Sequence, residues 1–309
     1  MTHSIITNCT SRKRNIGIDP VLPHIGVDVS LEESISIWLK RVKASSIRVS
    51  PLDLYQGRSI ADSRYASGLI GAHWYAISTG LGLVSAFDQI PNYSLTIVEG
   101  TGSIQKWLAA QNRTSVDWWT GICKALGSPS PISNMVNRCG KDDRIMLALP
   151  ARYIAMIASD LLLIEEEKHE NVRVFTSPAG AKEIPVKHRP IVMPYDERLE
   201  GIKKHNGTRS DFPQRALKHF VTDLNAQSYS LKKAKSLVQT AMTSAQARTS
   251  PPRTKATNEQ IANLIIKNWK DYGGSSSKLL RFLRDEAKVS CEQSRFSGIW
   301  REILMKKST

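Results

Sequence analysis

Arg144-Ile145-Met146-Leu147-Ala148-Leu149 is followed at once by Pro150 and by a helical pattern over residues 151–164. The run is nearly all apolar, as a strand buried on both faces of a parallel sheet should be. Pro150 suits the first turn of the helix that follows. The same alternation recurs on either side. Residues 4–7 predict a first strand and residues 31–43 a helix, with Ser30 and Glu33 as its capping box and Leu31, Ile35, Trp38, Leu39 and Val42 as its buried stripe. Residues 58–71 predict a helix. His73-Trp74-Tyr75-Ala76-Ile77-Ser78 predicts a strand that ends in the glycine turn Thr79-Gly80-Leu81-Gly82-Leu83. Residues 102–126 predict a further helical region, residues 171–176 a strand, and residues 190–193 a fifth strand. Strands alternating with helices give the expected fold class: α/β, a three-layer, mostly parallel sheet with helices on both faces. Ligands of such sheets bind outside the carboxyl ends of the strands, which singles out the loops after Thr7, Ser78 and Leu149.

Beyond this domain, expected over residues 1–197, residues 198–248 predict a helical connector of two helices. Leu217, Phe220, Val221 and Leu224 share a face of the first, and Ala234, Leu237, Val238, Ala241 and Met242 share a face of the second. A linker, Thr249-Ser250-Pro251-Pro252-Arg253-Thr254, opens an all-helical domain over residues 249–309. Its three helices are predicted at 258–272, 277–287 and 290–305, the last with a capping box of Ser290 and Gln293.

Charge separates the two ends of the chain. The 309 residues carry a formal net charge of +15, and residues 198–309 hold 22 Lys/Arg against 9 Asp/Glu. A one-sided basic field of this kind attracts polyanions and releases their counterions on binding. The expected partner is therefore nucleic acid, with no membrane and no obligate protein partner inferred. The last predicted helix buries Phe296, Ile299, Trp300 and Ile303 and offers Gln293, Ser294, Arg295, Ser297 and Arg301 on its other face, as a major-groove reader would. Lys278, Arg281 and Arg284 on the preceding helix suit phosphates. A three-helix interaction cap with a solvated basic face fits the same spacing.

The four cysteines form no C-x-x-C pair and none stands near histidine at zinc spacing, so reduced thiols, a cytoplasmic location and no metal are expected. Residues 1–14 lack the apolar core of a secretory signal, and no run of about 18 apolar residues occurs. The P-loop, the dinucleotide fingerprint, the nucleophile elbow and the zinc-deaminase signature are absent. No cofactor is expected.

What remains is polar and loop-borne. Asn8, Cys9 and Thr10 end the first strand and run into Arg12, Lys13 and Arg14. An amide and a hydroxyl can read a base, and the cations, with Arg58 and Arg152, can hold flanking phosphates. Gly80 and Gly82 would let backbone approach a ligand closely. Ser78 lies on the same loop, Asp88 could serve as a general base or stabilise a cationic sugar, and Tyr93 could stack on a base. Each of these residues also suits an ordinary structural turn.

Ile6-Thr7-Asn8-Cys9-Thr10-Ser11-Arg12-Lys13-Arg14, Leu54-Tyr55-Gln56-Gly57-Arg58-Ser59 and the segment 75–84, followed by an Asp and a Tyr, carry a resemblance. Over about residues 4–176 the chain resembles a bacterial family of small domains similar to the peroxide-stress protein and to domains of deazaguanine tRNA-modification enzymes. These in turn resemble the uracil-DNA-glycosylase fold. The chain departs from the pattern at Asn8, where serine is commoner, and at 79–82. The resemblance implies handling of a nucleobase. Joined to a DNA reader, it implies a glycosylase that flips and excises a modified base, similar to the anti-phage enzyme that removes glucosylated hydroxymethylcytosine. In that reading double-stranded DNA is the partner, Asn8 holds the leaving base, and Asp88 stabilises the oxocarbenium-like state. A DNA-binding regulator with a nucleotide-sensing domain and a tRNA base-exchange partner are the alternatives.

Overall fold

The computed structural model describes residues 1–16, 21, 29–100, 102–245 and 253–308. Five strands form the main sheet: β1 (His3–Asn8), β2 (His73–Ser78), β3 (Gly82–Ser85), β4 (Arg144–Ala148) and β5 (Val172–Phe175). Their order is β3-β2-β1-β4-β5, with β3 antiparallel and the others parallel. Every residue of β4 and of β5 is buried, which is why both read as apolar runs. The exceptions in composition are Arg144, at the start of β4, and Arg173. Arg173 is fully buried in β5, where its guanidinium donates to the carbonyls of Glu170, Val172 and Tyr229.

The chain moves from β1 to β2 on one side and to β4 on the other. Right-handed crossovers therefore send the helix that enters β2, Arg58–Ile70, and the helix that follows β4, Ala151–Met156, to opposite faces, while Leu31–Ala44, although it also lies between β1 and β2, joins the layer of Ala151–Met156. The Arg58–Ile70 and Phe212–Thr222 helices pack on each other and against β1, β2, β4 and β5. The Leu31–Ala44, Ser115–Ala125 and Ala151–Met156 helices form the second group, with Ser115–Ala125 against β3. The helix ends follow local chemistry. Ser30 accepts from the Glu33 amide, Gly71 closes Arg58–Ile70 in a left-handed conformation, and Thr114 with Asp117 forms a capping box.

The structure departs from the sequence reading at several points. The segment after β2 doubles back as β3. The region 102–126 divides, at left-handed Asn112, into Gln105–Ala110 and Ser115–Ala125. Pro150 is the N-cap rather than the first helical residue, and that helix stops at Met156. In place of a fifth strand at 190–193, a single bridge joins Val192 to Val174.

The chain divides into two compact units, Met1–Arg248 and Thr249–Thr309. Residues 198–248 are thus no separate connector; the Phe212–Thr222 helix completes a layer of the first unit and buries Phe212, Leu217, Phe220 and Val221 in its core. Of the expected linker, 249–252 lie outside the described residues. The second unit is not all-helical. Thr254–Lys255 (β6) pairs in parallel with Val289–Ser290 (β7) beside the helices Asn258–Lys267, Ser276–Asp285 and Gln293–Ser308. Ile261, Ile265, Leu279, Leu283, Phe296 and Ile299 make a core of its own. Ser290 belongs to β7, and the last helix starts at Gln293.

Candidate functional site

The carboxyl ends of β1 and β4 lie side by side, at the edge of the sheet where α/β proteins take ligands. Beyond Asn8 the β1 ladder continues for one bond, from the Cys9 amide to the Ile77 carbonyl at 2.9 Å. The chain then turns. The Thr10 hydroxyl oxygen accepts from the Arg12 amide at 2.8 Å, which commits Thr10 to closing this turn. The basic run lies antiparallel beside residues 54–56, with Gln56 N donating to Arg12 O at 2.9 Å and Arg14 N to Leu54 O at 2.8 Å. Two motifs about forty residues apart in sequence are therefore neighbours in space.

Their meeting places Lys13 over a buried chain of hydroxyls. Its ammonium donates to Thr10 O at 2.9 Å and lies 4.4 Å from the Tyr93 ring centroid and 5.8 Å from that of Tyr55. The Tyr55 and Tyr93 hydroxyls are 2.6 Å apart, and Tyr93 is 2.6 Å from Ser78 Oγ. Ser78 Oγ accepts from the amides of Gly80 and Leu81 at 3.2 and 3.0 Å, so its own proton goes to Tyr93. Three hydroxyl protons serve two hydroxyl–hydroxyl bonds. Among the described residues, one phenolic proton is thus left without an acceptor. Burial holds both phenols well above the usual tyrosine range and pushes the Lys13 ammonium below the usual lysine range, opposed only by the nearby Cys9 sulfur. On the other side of Cys9, its sulfur lies 3.2 Å from the Tyr153 hydroxyl. Thr79 Oγ1, fully buried beside this group, makes no hydrogen bond.

Gln214 is a site residue that sequence reasoning missed. It projects from the Phe212–Thr222 helix to the β1–β4 edge, 0% exposed. Its Nε2 donates to Thr7 Oγ1 and Asn8 Oδ1 at 2.9 Å and to Ala148 O at 2.8 Å. Its spacing from Leu217 and Val221 puts an amide on an apolar stripe, which is the signal that could have found it. Beside it, fully buried Arg215 binds Asp211 at 2.7 Å and Glu200 at 2.6 Å, holding the start of this helix in place.

Several expected roles fall to this geometry. Asn8 is not free to hold a base, because its carbonyl accepts from Gln214 and its amide nitrogen donates to Cys9 O at 2.8 Å. Tyr93 is 1% exposed, so it does not stack on a ligand base. Gly80 does not admit a ligand either. The Trp38 indole donates to Gly80 O at 2.6 Å, the Trp118 indole donates to Thr79 O at 2.7 Å, and a Cβ on Gly80 would sit 2.8 Å from Trp38. Gly82, in a left-handed conformation beside Cys123 and Leu126, faces a groove on the β3 side of the sheet and not the β1–β4 edge. Asp88 lies at the wrong edge. The hairpin returns to pair Ala86 N with Trp74 O, so Asp88 stands at the amino end of β2, where it accepts from Ser85 N at 2.7 Å. It lines a separate groove of about 750 Å³ with Leu81, Cys123, Asn134 and Arg138.

The cations also sort themselves. Arg58 is paired with Asp62 and Asp211. Arg12, Arg14 and Arg152 are exposed, and no carboxylate pairs with them among the described residues. In the second unit Arg284 donates twice to Cys291 O, and Arg295 donates to Asn258 Oδ1 and Ala256 O. Both guanidiniums tie the unit together instead of facing a polyanion. Lys278, Arg281, Gln293 and Arg301 stay exposed.

Among the described residues no three His, Cys, Asp or Glu side chains gather as a metal site, and no helix is long and apolar enough to cross a membrane. No family model, no curated protein and no solved structure matches the chain.

Proposed function

We propose that this chain binds DNA through its basic helical unit and takes one nucleotide onto the carboxyl edge of its sheet, where the N-glycosidic bond of a modified base is cleaved. One observation carries the reading. The loops after β1 and β4 and the 54–56 segment meet around half-buried Lys13, and the same stretches bear exposed Arg12, Arg14 and Arg152. The exposed cations suit phosphates on either side of an extruded nucleotide. Asp88 has no part in this scheme, and neither do the glycines after β2. A mostly parallel sheet between helix layers is compatible with the uracil-DNA-glycosylase plan, which stays within the proposal.

The test is incubation with phage DNA that carries glucosylated hydroxymethylcytosine and with the same DNA unmodified, each then treated with a reagent that nicks abasic sites. Nicks confined to the modified DNA are expected. If neither DNA acquires abasic sites while both are bound, cleavage is wrong and the edge is at most a sensor.

A further inference from the structure

Resting on the cleavage reading above, we propose that Lys13 is the covalent nucleophile, its amine displacing the base at C1′ and passing through an imine to the sugar.

The placement of Lys13 sets it apart from the cations that bind phosphate. It stands at the carboxyl edge, one residue from each of two exposed arginines, yet its own side chain folds inward. Its surroundings are two aromatic faces, one backbone carbonyl and the Cys9 sulfur. No carboxylate pairs with it among the described residues, whereas Lys218, also partly buried, is 2.7 Å from Asp62. A lysine built to hold its charge is given an acid. One stripped of water and left without an acid loses its proton more readily, which is how amines become nucleophiles. The direction of its titration agrees, since burial pulls it below the ordinary lysine range.

The step balances. The neutral Nζ forms a bond to C1′ as the C1′–N bond to the base breaks, and the base leaves with that electron pair. It takes up one proton, matched by the proton that the nitrogen loses. The C1′–O4′ bond then opens, O4′ is protonated, and the protonated imine joins Nζ to C1′. Water, which supplied the proton on O4′, hydrolyses the imine to free lysine and an abasic site, and a proton returns to solvent.

Trapping separates this proposal from the reading on which it rests. The full chain is incubated with a duplex oligonucleotide containing one preformed abasic site, in the presence of borohydride, and the adduct is mapped by peptide mass. An adduct on Lys13 is expected, with at least a tenfold loss in Lys13→Arg while binding of the same duplex stays within threefold. An adduct elsewhere, or one undiminished in Lys13→Arg, overturns the assignment. On modified phage DNA, abasic sites formed equally by wild type and Lys13→Arg would overturn it while leaving cleavage intact. Absence of abasic sites with both proteins would instead remove the cleavage reading, and with it this one.

Discussion

Replacing Gln214 by methionine keeps the side chain's length and volume and deletes only its polar atoms. The wild-type amide nitrogen has two protons for three acceptors: Thr7 Oγ1, Asn8 Oδ1 and Ala148 O. Two full bonds are therefore at stake, in a place where water does not reach. Leaving a buried acceptor unpaired costs about 1–3 kcal/mol, about 2 kcal/mol in mid-range, so the loss for two is about 4 kcal/mol. Gln214 Oε1 is itself buried without a partner. Its removal offsets about 1 kcal/mol, and a net destabilisation of about 3 kcal/mol is expected. With a urea dependence near 3 kcal/mol per molar for a unit of this size, the midpoint falls by about 1 M. The assay is urea unfolding followed by far-UV circular dichroism, with the slope fitted freely. A midpoint shift below about 0.3 M at unchanged slope would show that the amide does not clamp β1 to β4.

Other outcomes follow from the same contacts. Ser78→Ala should destabilise the first unit more than Tyr93→Phe, because Ser78 also holds the amides of Gly80 and Leu81; equal unfolding midpoints would contradict the proton assignment. Asp88→Asn should leave abasic-site formation within twofold of wild type, and a collapse of activity would return Asp88 to the chemistry. Removing Lys278, Arg281 or Arg301 should each lower the slope of log affinity against log salt by about 1, whereas Arg284→Ala should leave that slope alone and destabilise the second unit by about 1–2 kcal/mol. His219, 3% exposed, is lowered to about 4 by burial first and then by His205. It is neutral in the folded chain and protonates first in the unfolded one. Its contribution is therefore complete above about pH 6.5 and fades as the pH falls toward 4, by about 3 kcal/mol in all. A urea midpoint that stays constant from pH 7 to 4.5 in wild type would refute this.

Much of the frame was legible because its signals are local. The buried strand β4 is an unbroken apolar run after Arg144, and Ser30 and Gly71 mark helix ends by their own side chain or backbone, whereas the Thr114 cap inside 102–126 was missed. The site was harder, for physical reasons. Gly80 and Gly82 read as the end of a strand, and they are, but the chain reverses there and carries Asp88 the length of β2 to the far edge. Nothing local distinguishes a turn that opens to a ligand from one stopped by the indoles of Trp38 and Trp118. Likewise a charge count treats Arg284 and Arg281 alike, although one guanidinium is occupied by a carbonyl and the other faces solvent. Gln214 depends on a contact across more than two hundred residues, and only its place on an apolar stripe hinted at it.

The two indoles that stop the turn after β2 also determine where this protein can change. A side chain at Gly80 pushes a methyl group into Trp38, between two backbone carbonyls to which tryptophans donate, so diversity introduced there would be lost to misfolding. Arg12, Arg14 and Arg152 carry no such obligation. Directed evolution toward a new target would therefore find its freedom in the loops after β1 and β4, with the β2 turn as a fixed hinge-post against which those loops are varied.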